Sequence, residues 1–255
     1  MTSTRIRKCE NDNPISVRAD TRVRKGVTVF WFLGNTLALL VSFVGCQPRQ
    51  RAEPASPQKF FEQVTGDIAA DPRSQWDTKF ATETYVYGRE PSKFLVEVLS
   101  DVPTGRALDI AMGEGRNAVF LAKKGFDVLG VDFSDVAIRK AHRLARAHHV
   151  TIRADNADLM RYAIPHETYD LIVDINYLQR SLISQIKNGL KKGGYLVFEN
   201  QTVEQLSNPE GKGINREYLL EKGELKKLFS EFRILAYRET NDGKDARAQL
   251  FAQKL

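Results

Sequence analysis
The chain has 255 residues, 42% of them hydrophobic, a size and composition that suit one α/β domain with an extension. Of its 38 Lys and Arg and 32 acids, nine and three precede Ala52, so the formal charge of +6 belongs to the N-terminus and 29 of each sign remain beyond it. The net charge of a neutral domain does not indicate a nucleic-acid-binding surface and leaves only a local basic patch open, and because Cys9 and Cys46 both precede the domain, neither a disulfide framework nor a zinc site is available within it.

Residues 1–26 are polar and basic, lack apolar periodicity, and read as disordered. Val27 to Gly45 carries no charge, and at ~1.5 Å per residue it would nearly cross the hydrocarbon core of a bilayer. Arg18, Arg22, Arg24 and Lys25 precede this run, and Ser-Phe-Val-Gly leads to Cys46. Residues 27–46 are therefore expected to be a lipoprotein-type secretory signal or a transmembrane segment that associates the protein with a membrane. The basic flank predicts a cytoplasmic N-terminus with the rest outside, the opposite orientation staying open; if the segment is not used, the protein is cytoplasmic. Residues 47–58, rich in Pro, Arg and Ala, read as a tether to a domain spanning 59–255.

The domain opens with short helical candidates, Phe60 to Ala70 and Gln75 to Ala81, separated by Asp71-Pro72. The aromatic and basic residues Trp76, Tyr85, Tyr87 and Arg89 come next. A helix runs from Pro91-Ser92 through Leu99, with Phe94, Leu95, Val98 and Leu99 as its inward stripe.

The stretch from Arg106 to Ser134 organises the rest of the domain. It reads as a strand (Ala107 to Ala111), a glycine turn (Met112 to Gly115), a helix (Arg116 to Lys124), a stop at Gly125 and a second strand (Asp127 to Val131) ending on Asp132. Two strand-length apolar runs about one helix make a βαβ unit whose strands are parallel. Gly113 and Gly115 let backbone approach a ligand at the helix N-terminus. Asp132, nineteen positions after Gly113, stands where an acid hydrogen-bonds both hydroxyls of a ribose. The glycines alone would fit NAD almost as well. Asp109, expected at the strand end and pointing into the same crevice, decides between nucleosides: its carboxylate would repel a pyrophosphate by an energy on the order of kcal/mol and attract a cation. S-adenosylmethionine offers an adenosine for Asp132, an ammonium for Asp109, and no phosphate.

LDIAMGEGRNAVFLAKKGFDVLGVDFS resembles motif I and the following acidic strand end of class I S-adenosylmethionine-dependent methyltransferases, in which Gly and Cys are commoner at the positions of Ala111 and Met112. WDTKFATETYVYGREPSKFL and YLLEKGELKKLF are similar to the tellurite-resistance and thiopurine-type branch, so the resemblance spans Trp76 to Leu255. It implies a Rossmann-like, doubly wound, seven-stranded, mostly parallel sheet with an antiparallel last strand. It also implies an N-terminal segment folded over the cofactor as a lid that helps shape the acceptor pocket; there the aromatic rings either exclude water, with Tyr87 bordering the acceptor, or are plain core, and Arg89 is suited to attract an anionic acceptor.

Beyond Asp132, Phe133 borders the cofactor and Ser134 caps a helix from Asp135 to His148, with Arg139, Lys140, Arg143 and Arg146 expected on its solvated face. His142, His148 and His149 lack partners at ligand spacing and read as surface residues. Val150 to Ala154 is the third strand; Asp158 beyond it is expected against the adenine amino group, with Asp155 the runner-up. Tyr169 to Asp174 is a strand covered on both faces. Asn176, Tyr177 and Arg180 stand at the crevice mouth, Asn176 for the cofactor, Tyr177 and Arg180 for the acceptor, although Arg180 also reads as the start of the next helix. That helix is expected over Ser181 to Leu190, with a turn at Gly193-Gly194 and a strand from Tyr195 to Glu199, where Glu199 and Asn200 are candidate acceptor contacts. Gln201 to Asn215 reads as a mobile loop, Arg216 to Phe229 as a helix, and Phe232 to Tyr237 and Gln249 to Lys254 as a hairpin around Asn241-Asp242-Gly243.

The expected cofactor set is thus Asp109, Ala111, Gly113, Gly115, Asn117, Asp132, Phe133, Asp158 and Asn176, with a small-molecule methyl acceptor held by Tyr87, Arg89, Tyr177 and Arg180. No catalytic base and no metal ligand is assigned. A nicotinamide-dependent oxidoreductase and a membrane-tethered S-adenosylmethionine-binding protein without turnover are the alternatives.

Overall fold
Seven strands form one sheet in the order β3-β2-β1-β4-β5-β7-β6. They are β1 (Arg106–Ile110), β2 (Asp127–Asp132), β3 (Arg153–Asn156), β4 (Tyr169–Ile175), β5 (Leu190–Gln201), β6 (Arg233–Asn241) and β7 (Ala246–Gln253). The computed structural model describes residues 71–255, so the basic N-terminus, the 27–46 segment, the 47–58 tether and the helix expected at 60–70 lie outside the described residues. Among the described residues no helix is long and apolar enough to cross a membrane.

The first five strands pair in parallel, and only β7, inserted between β5 and β6, runs against its neighbours. Chain order reverses direction across the sheet between β1 and β4, and a ligand crevice opens beyond the strand ends at such a point. Alternation along the strands supplies both faces of the core. Leu108 and Ile110 of β1 pack with Ile172 on one side, Ala107 with Leu171 and Val173 on the other. That double burial is why β4 is a continuous apolar run.

The helices that position the crevice are α1 (Pro72–Phe80), α2 (Lys93–Val98), α3 (Arg116–Lys123) and α4 (Asp135–Ala147). Ser92 caps α2, and Ser134 caps α4 through a hydrogen bond from the Ala137 N–H to its Oγ at 3.1 Å. Gly115 begins α3 with φ of +84°, and a β-carbon there would come within 2.6 Å of the Ala141 Cβ. Its role is to let α3 lie close against α4.

Several expected boundaries move, each for a local reason. The third strand begins at Arg153 rather than Val150, because the Val150 N–H still donates to the Ala145 carbonyl in the closing turn of α4. The helix expected from Ser181 divides into a 3₁₀ turn, Arg180–Leu182, and α5 (Ile183–Gly189). β5 starts at Leu190 and runs through Gly193-Gly194, with a pairing irregularity opposite Tyr169 and Leu171. The helix expected over Arg216 to Phe229 is a 3₁₀ turn, Arg216–Tyr218, and a short α6 (Glu224–Leu228). Leu219 and Leu220 between them are extended and buried, and Leu220 bridges to Thr202. The loop expected to be mobile, Gln201 to Asn215, is instead pinned. Its Gln205 is fully buried, accepting from the Ala246 N–H at 2.7 Å and donating to the Lys244 carbonyl at 2.9 Å.

Candidate functional site
A cavity opens above β1, β2 and β4, lined by the glycine turn, the end of β2, residues 157–159, residues 175–177, and the aromatic side chains of α1 and its following loop. Seven of the nine residues expected around a cofactor meet there: Ala111, Gly113, Asn117, Asp132, Phe133, Asp158 and Asn176. Asp132 ends β2 with both carboxylate oxygens engaged, accepting from the Gly113 N–H at 2.8 Å and the Ser134 N–H at 2.9 Å. Each oxygen keeps a second lone pair. Burial pushes the Asp132 carboxyl above the usual carboxylate range, and the Ser134 and Gly113 N–H groups oppose that shift. Asp158 accepts from the Met160 N–H at 2.9 Å and lines the cavity with Leu159. Asp155 does not line it, and accepts from the Tyr162 hydroxyl at 3.3 Å instead.

The turn carries two departures from the resembled motif. Ala111 holds φ of +49°, a left-handed conformation in which a β-carbon is strained, which explains a glycine preference at this position. Met112 is buried against β2 and lies over Gly130, where a β-carbon would fall 2.0 Å from its sulfur. The larger side chain thus fits because a glycine faces it.

Two expected cofactor residues are not at the cavity wall. Asp109 is 1% exposed and does not line it: on β1 it shares the parity of Ala107, so its side chain goes to the sheet face under the start of α3. There it accepts from the Ala118 N–H, has one oxygen without a partner, and is pushed by burial up to about 7, with Arg116 opposing the shift. Gly115 likewise faces α4 rather than the cavity.

Of the expected acceptor residues, Tyr87 and Tyr177 line the cavity; Arg89 and Arg180 do not. The Tyr177 hydroxyl donates to Gln179, and burial raises its pKa. Arg180 is used structurally. Its guanidinium binds Glu224 at 2.7 and 2.9 Å and the carbonyls of Glu217 and Leu219 at 2.7 and 2.9 Å, fastening the two short helices that replace the expected long one. Arg89 lies over the Tyr85 ring in a second cavity with Lys93, Arg116, Glu199 and Arg247. Tyr87, Gly88 and Arg116 border both cavities.

The cover is held by groups with no signal in the sequence. Lys140, expected on a solvated face, is buried, its side chain 5% exposed and paired with Glu114 of the glycine turn, itself 3% exposed. Its ammonium donates to the carbonyls of Phe80, Thr82 and Thr84 at 3.2, 3.0 and 2.7 Å. Glu114 accepts from the Val86 N–H at 2.7 Å and, at 3.4 Å, from the Tyr87 N–H. Above this clamp Trp76 stacks on Phe80, and Tyr87 meets Phe80 edge-on. A second network runs between the cavities. The Ser92 N–H donates to Asn117 and its hydroxyl to Glu199, Arg247 donates to Glu199 at 3.0 Å, and the same guanidinium nitrogen reaches Asn176 at 2.6 Å. Asn176 is itself left-handed, φ +64°, a conformation asparagine tolerates. Asp174, two residues before this bend, is fully buried with an unpartnered oxygen, and burial beside Asp109 raises it well above the usual range.

The wall chemistry suits a nucleoside with a cationic tail better than a dinucleotide. Asp132, Asp158 and the Lys140-paired Glu114 line the cavity, and Arg116 is the single Lys or Arg among the described residues lining it. A β-carbon added at Gly113 would meet only the tip of Phe80, at 3.7 Å, so the turn presents open backbone to the cavity.

Comparison with known proteins agrees with this geometry. Residues 107–194 match the family described as "Methyltransferase domain". The chain is similar to "Hemagglutinin 1" of Eikenella corrodens, 27% identical over 56% of this chain and 49% of that protein. It is also similar to the "Probable S-adenosyl-L-methionine-dependent methyltransferase TehB" of Haemophilus influenzae, 24% identical over 57% of this chain and 52% of that protein. The chain thus spans about half the length of these curated relatives. The crystal structure of Haemophilus influenzae TehB has the same fold, with a TM-score of 0.55 and 21% identity over 72% of this chain and 67% of that one.

Proposed function
We propose that this chain, which belongs to the class I S-adenosylmethionine-dependent methyltransferases, transfers a methyl group to a small-molecule acceptor with a soft sulfur, selenium or tellurium nucleophile. The observation that carries the cofactor is Asp132: an acid at the end of β2, fixed by the Gly113 N–H, with lone pairs left for ribose hydroxyls. Asp158 and Phe133 both line the cavity, and in this reading Asp158 accepts from the adenine amino group and Phe133 is the apolar wall beside the ring. The acid-rich wall favours a cationic tail and disfavours the pyrophosphate of a nicotinamide cofactor.

S-adenosylmethionine supplies a methyl already activated by its sulfonium: the acceptor lone pair forms the new bond, the methyl–sulfur bond breaks, and S-adenosylhomocysteine leaves with that electron pair. What the chain contributes is placement and dryness. Trp76, Phe80 and Tyr87 cover the opening, while Asn176 and Tyr177 border the part of the cavity beyond β4. No His, Lys or Cys is among the described residues lining the cavity. That absence supports a nucleophile already anionic or easily ionised at neutral pH, which needs little general-base help.

Calorimetry on the full chain tests the reading. S-adenosylmethionine and S-adenosylhomocysteine bind and NADH does not, and a volatile-product screen with thiols, and with selenite and tellurite in excess thiol as the reductant, then yields methylated product. NADH binding in place of S-adenosylmethionine would sink it.

A further inference from the structure
The two adjoining cavities differ in charge. Glu114, Asp132 and Asp158 line the cavity at the glycine turn against Arg116 alone, whereas in the second Arg89, Lys93, Arg116 and Arg247 stand with Glu90, Glu199 and Asp245. Arg247 is engaged by Glu199 at 3.0 Å and by Asp245, and Glu199 is further satisfied by Ser92 at 2.9 Å and Gln249 at 2.7 Å. Among the described residues Arg89, Lys93 and Arg116 have no carboxylate within 4 Å, and Glu90 is the one acid of this cavity without an ion pair.

Arg116 is the distinctive member. It borders both cavities, yet of its five N–H donors one is placed, on the Tyr87 carbonyl at 3.2 Å. Burial depresses its pKa, while Glu199 and Asp109 act on it only from a distance. Arg116 is half-buried, and the cost of drawing a guanidinium partly out of water without a counter-ion is relieved when an anion arrives. We propose that Arg116, backed by Arg89, is the subsite for an oxyanion carried by the methyl acceptor, so that the enzyme prefers acceptors bearing a carboxylate or a group of like charge and shape. The inference rests on the methyltransferase reading. The acceptor's charged end occupies the second cavity, and its nucleophile reaches the first past Tyr87 and Gly88, the residues the two share with Arg116.

The test is calorimetry on the full chain saturated with S-adenosylhomocysteine, titrated with two thiols of similar length, 3-mercaptopropionate and 3-mercaptopropan-1-ol. The carboxylate thiol is expected to bind tighter by about tenfold or more, the gain for a charge-assisted hydrogen bond. Arg116→Gln removes that difference and Arg116→Lys retains part of it, while S-adenosylhomocysteine affinity stays within about twofold. Equal binding of the two thiols, or none, overturns the proposal. So does a loss of about tenfold or more in S-adenosylhomocysteine affinity on Arg116→Gln, which would give the guanidinium to the cofactor's own carboxylate. Failure of S-adenosylhomocysteine to bind the unmutated chain is a separate result and removes the methyltransferase reading itself.

Discussion

Replacing Lys140 with methionine tests whether the cover over the cavity is fastened by the buried ion pair. The ammonium is held by Glu114 and by three carbonyls at 3.2, 3.0 and 2.7 Å, so the substitution leaves a carboxylate uncompensated in a nearly dry site and frees three acceptors. Removing one partner of such a pair costs about 3–5 kcal/mol, a large share of the roughly 5–15 kcal/mol that holds a typical domain folded. Release of residues 80–87 alone offers the chain a cheaper escape, because it rehydrates Glu114 without opening the sheet. Urea melts read the first route. Hydrogen exchange at the Val86 and Tyr87 amides, both donors to Glu114, reads the second. The double change Lys140→Met with Glu114→Gln removes both charges and is expected to restore most of the loss. A cost under about 1 kcal/mol for Lys140→Met, with those two amides exchanging at the unmutated rate, would refute the clamp.

Three other outcomes rest on particular residues. Asp132→Ala removes the acceptors proposed for the ribose and is expected to weaken S-adenosylmethionine about 10- to 100-fold by calorimetry, as befits hydrogen bonds to a charged group; affinity unchanged within twofold or so would dissociate Asp132 from the cofactor. Ala111→Gly relieves a left-handed alanine, a gain of roughly 1–2 kcal/mol, less the roughly 0.4–1 kcal/mol of extra freedom in the unfolded chain; thermal melts should show a neutral to slightly stabilised protein, and a loss of about 1 kcal/mol would contradict the backbone conformation. The segment 27–46 is expected to carry the full chain into the membrane fraction, releasable by detergent and not by salt, while a chain beginning at Ala52 stays in the supernatant; identical behaviour of the two would remove the anchor.

How much of the fold and site is legible in the sequence depends on the range of the interaction. The βαβ unit is local: apolar runs, glycines and Ser134 specify it over fewer than thirty residues, so its elements and the place of Asp132 are readable. The closing hairpin is readable for the same reason. The Arg216 to Phe229 segment reads wrongly as one helix because Leu219 and Leu220 have helical spacing yet are buried in extended backbone, one of them bridged to Thr202, a partner that periodicity does not reveal. Lys140 reads as solvated because its neighbours Arg139 and Arg143 share its charge; only the fold brings Glu114 and three carbonyls to it from some 26 to 60 positions away. Arg116 and Arg247 carry no signal because nothing local separates a cation at a cavity wall from one in a solvated run.

Asp109 changes the basis of the cofactor assignment without reversing it. An exposed carboxylate in the crevice would repel phosphate outright, but the observed carboxyl lies beneath α3 and, held up to about 7 by burial, is only partly ionised at neutral pH. The unpaired carboxylates left at the wall are those of Asp132 and Asp158, with Glu114 paired to Lys140. The sign of the Asp109 shift gives this a direct check. An acid whose folded value lies above its unfolded one binds more protons when folded, so its contribution falls as pH rises from about 4 to about 7 and is level beyond. At about 1.4 kcal/mol per pH unit, Asp109→Asn should gain on the unmutated chain by up to about 4 kcal/mol across that window, an upper bound for a group that also keeps the Ala118 hydrogen bond. Asp174 is raised first by burial and then by Asp109, so the difference between the two urea stabilities reads Asp109 together with the part of the Asp174 shift that Asp109 causes, both of the same sign. Parallel stability curves from pH 4 to 7 would mean that the carboxyl is hydrated and ionised after all, and the phosphate-repelling charge would return to the place the sequence alone suggests.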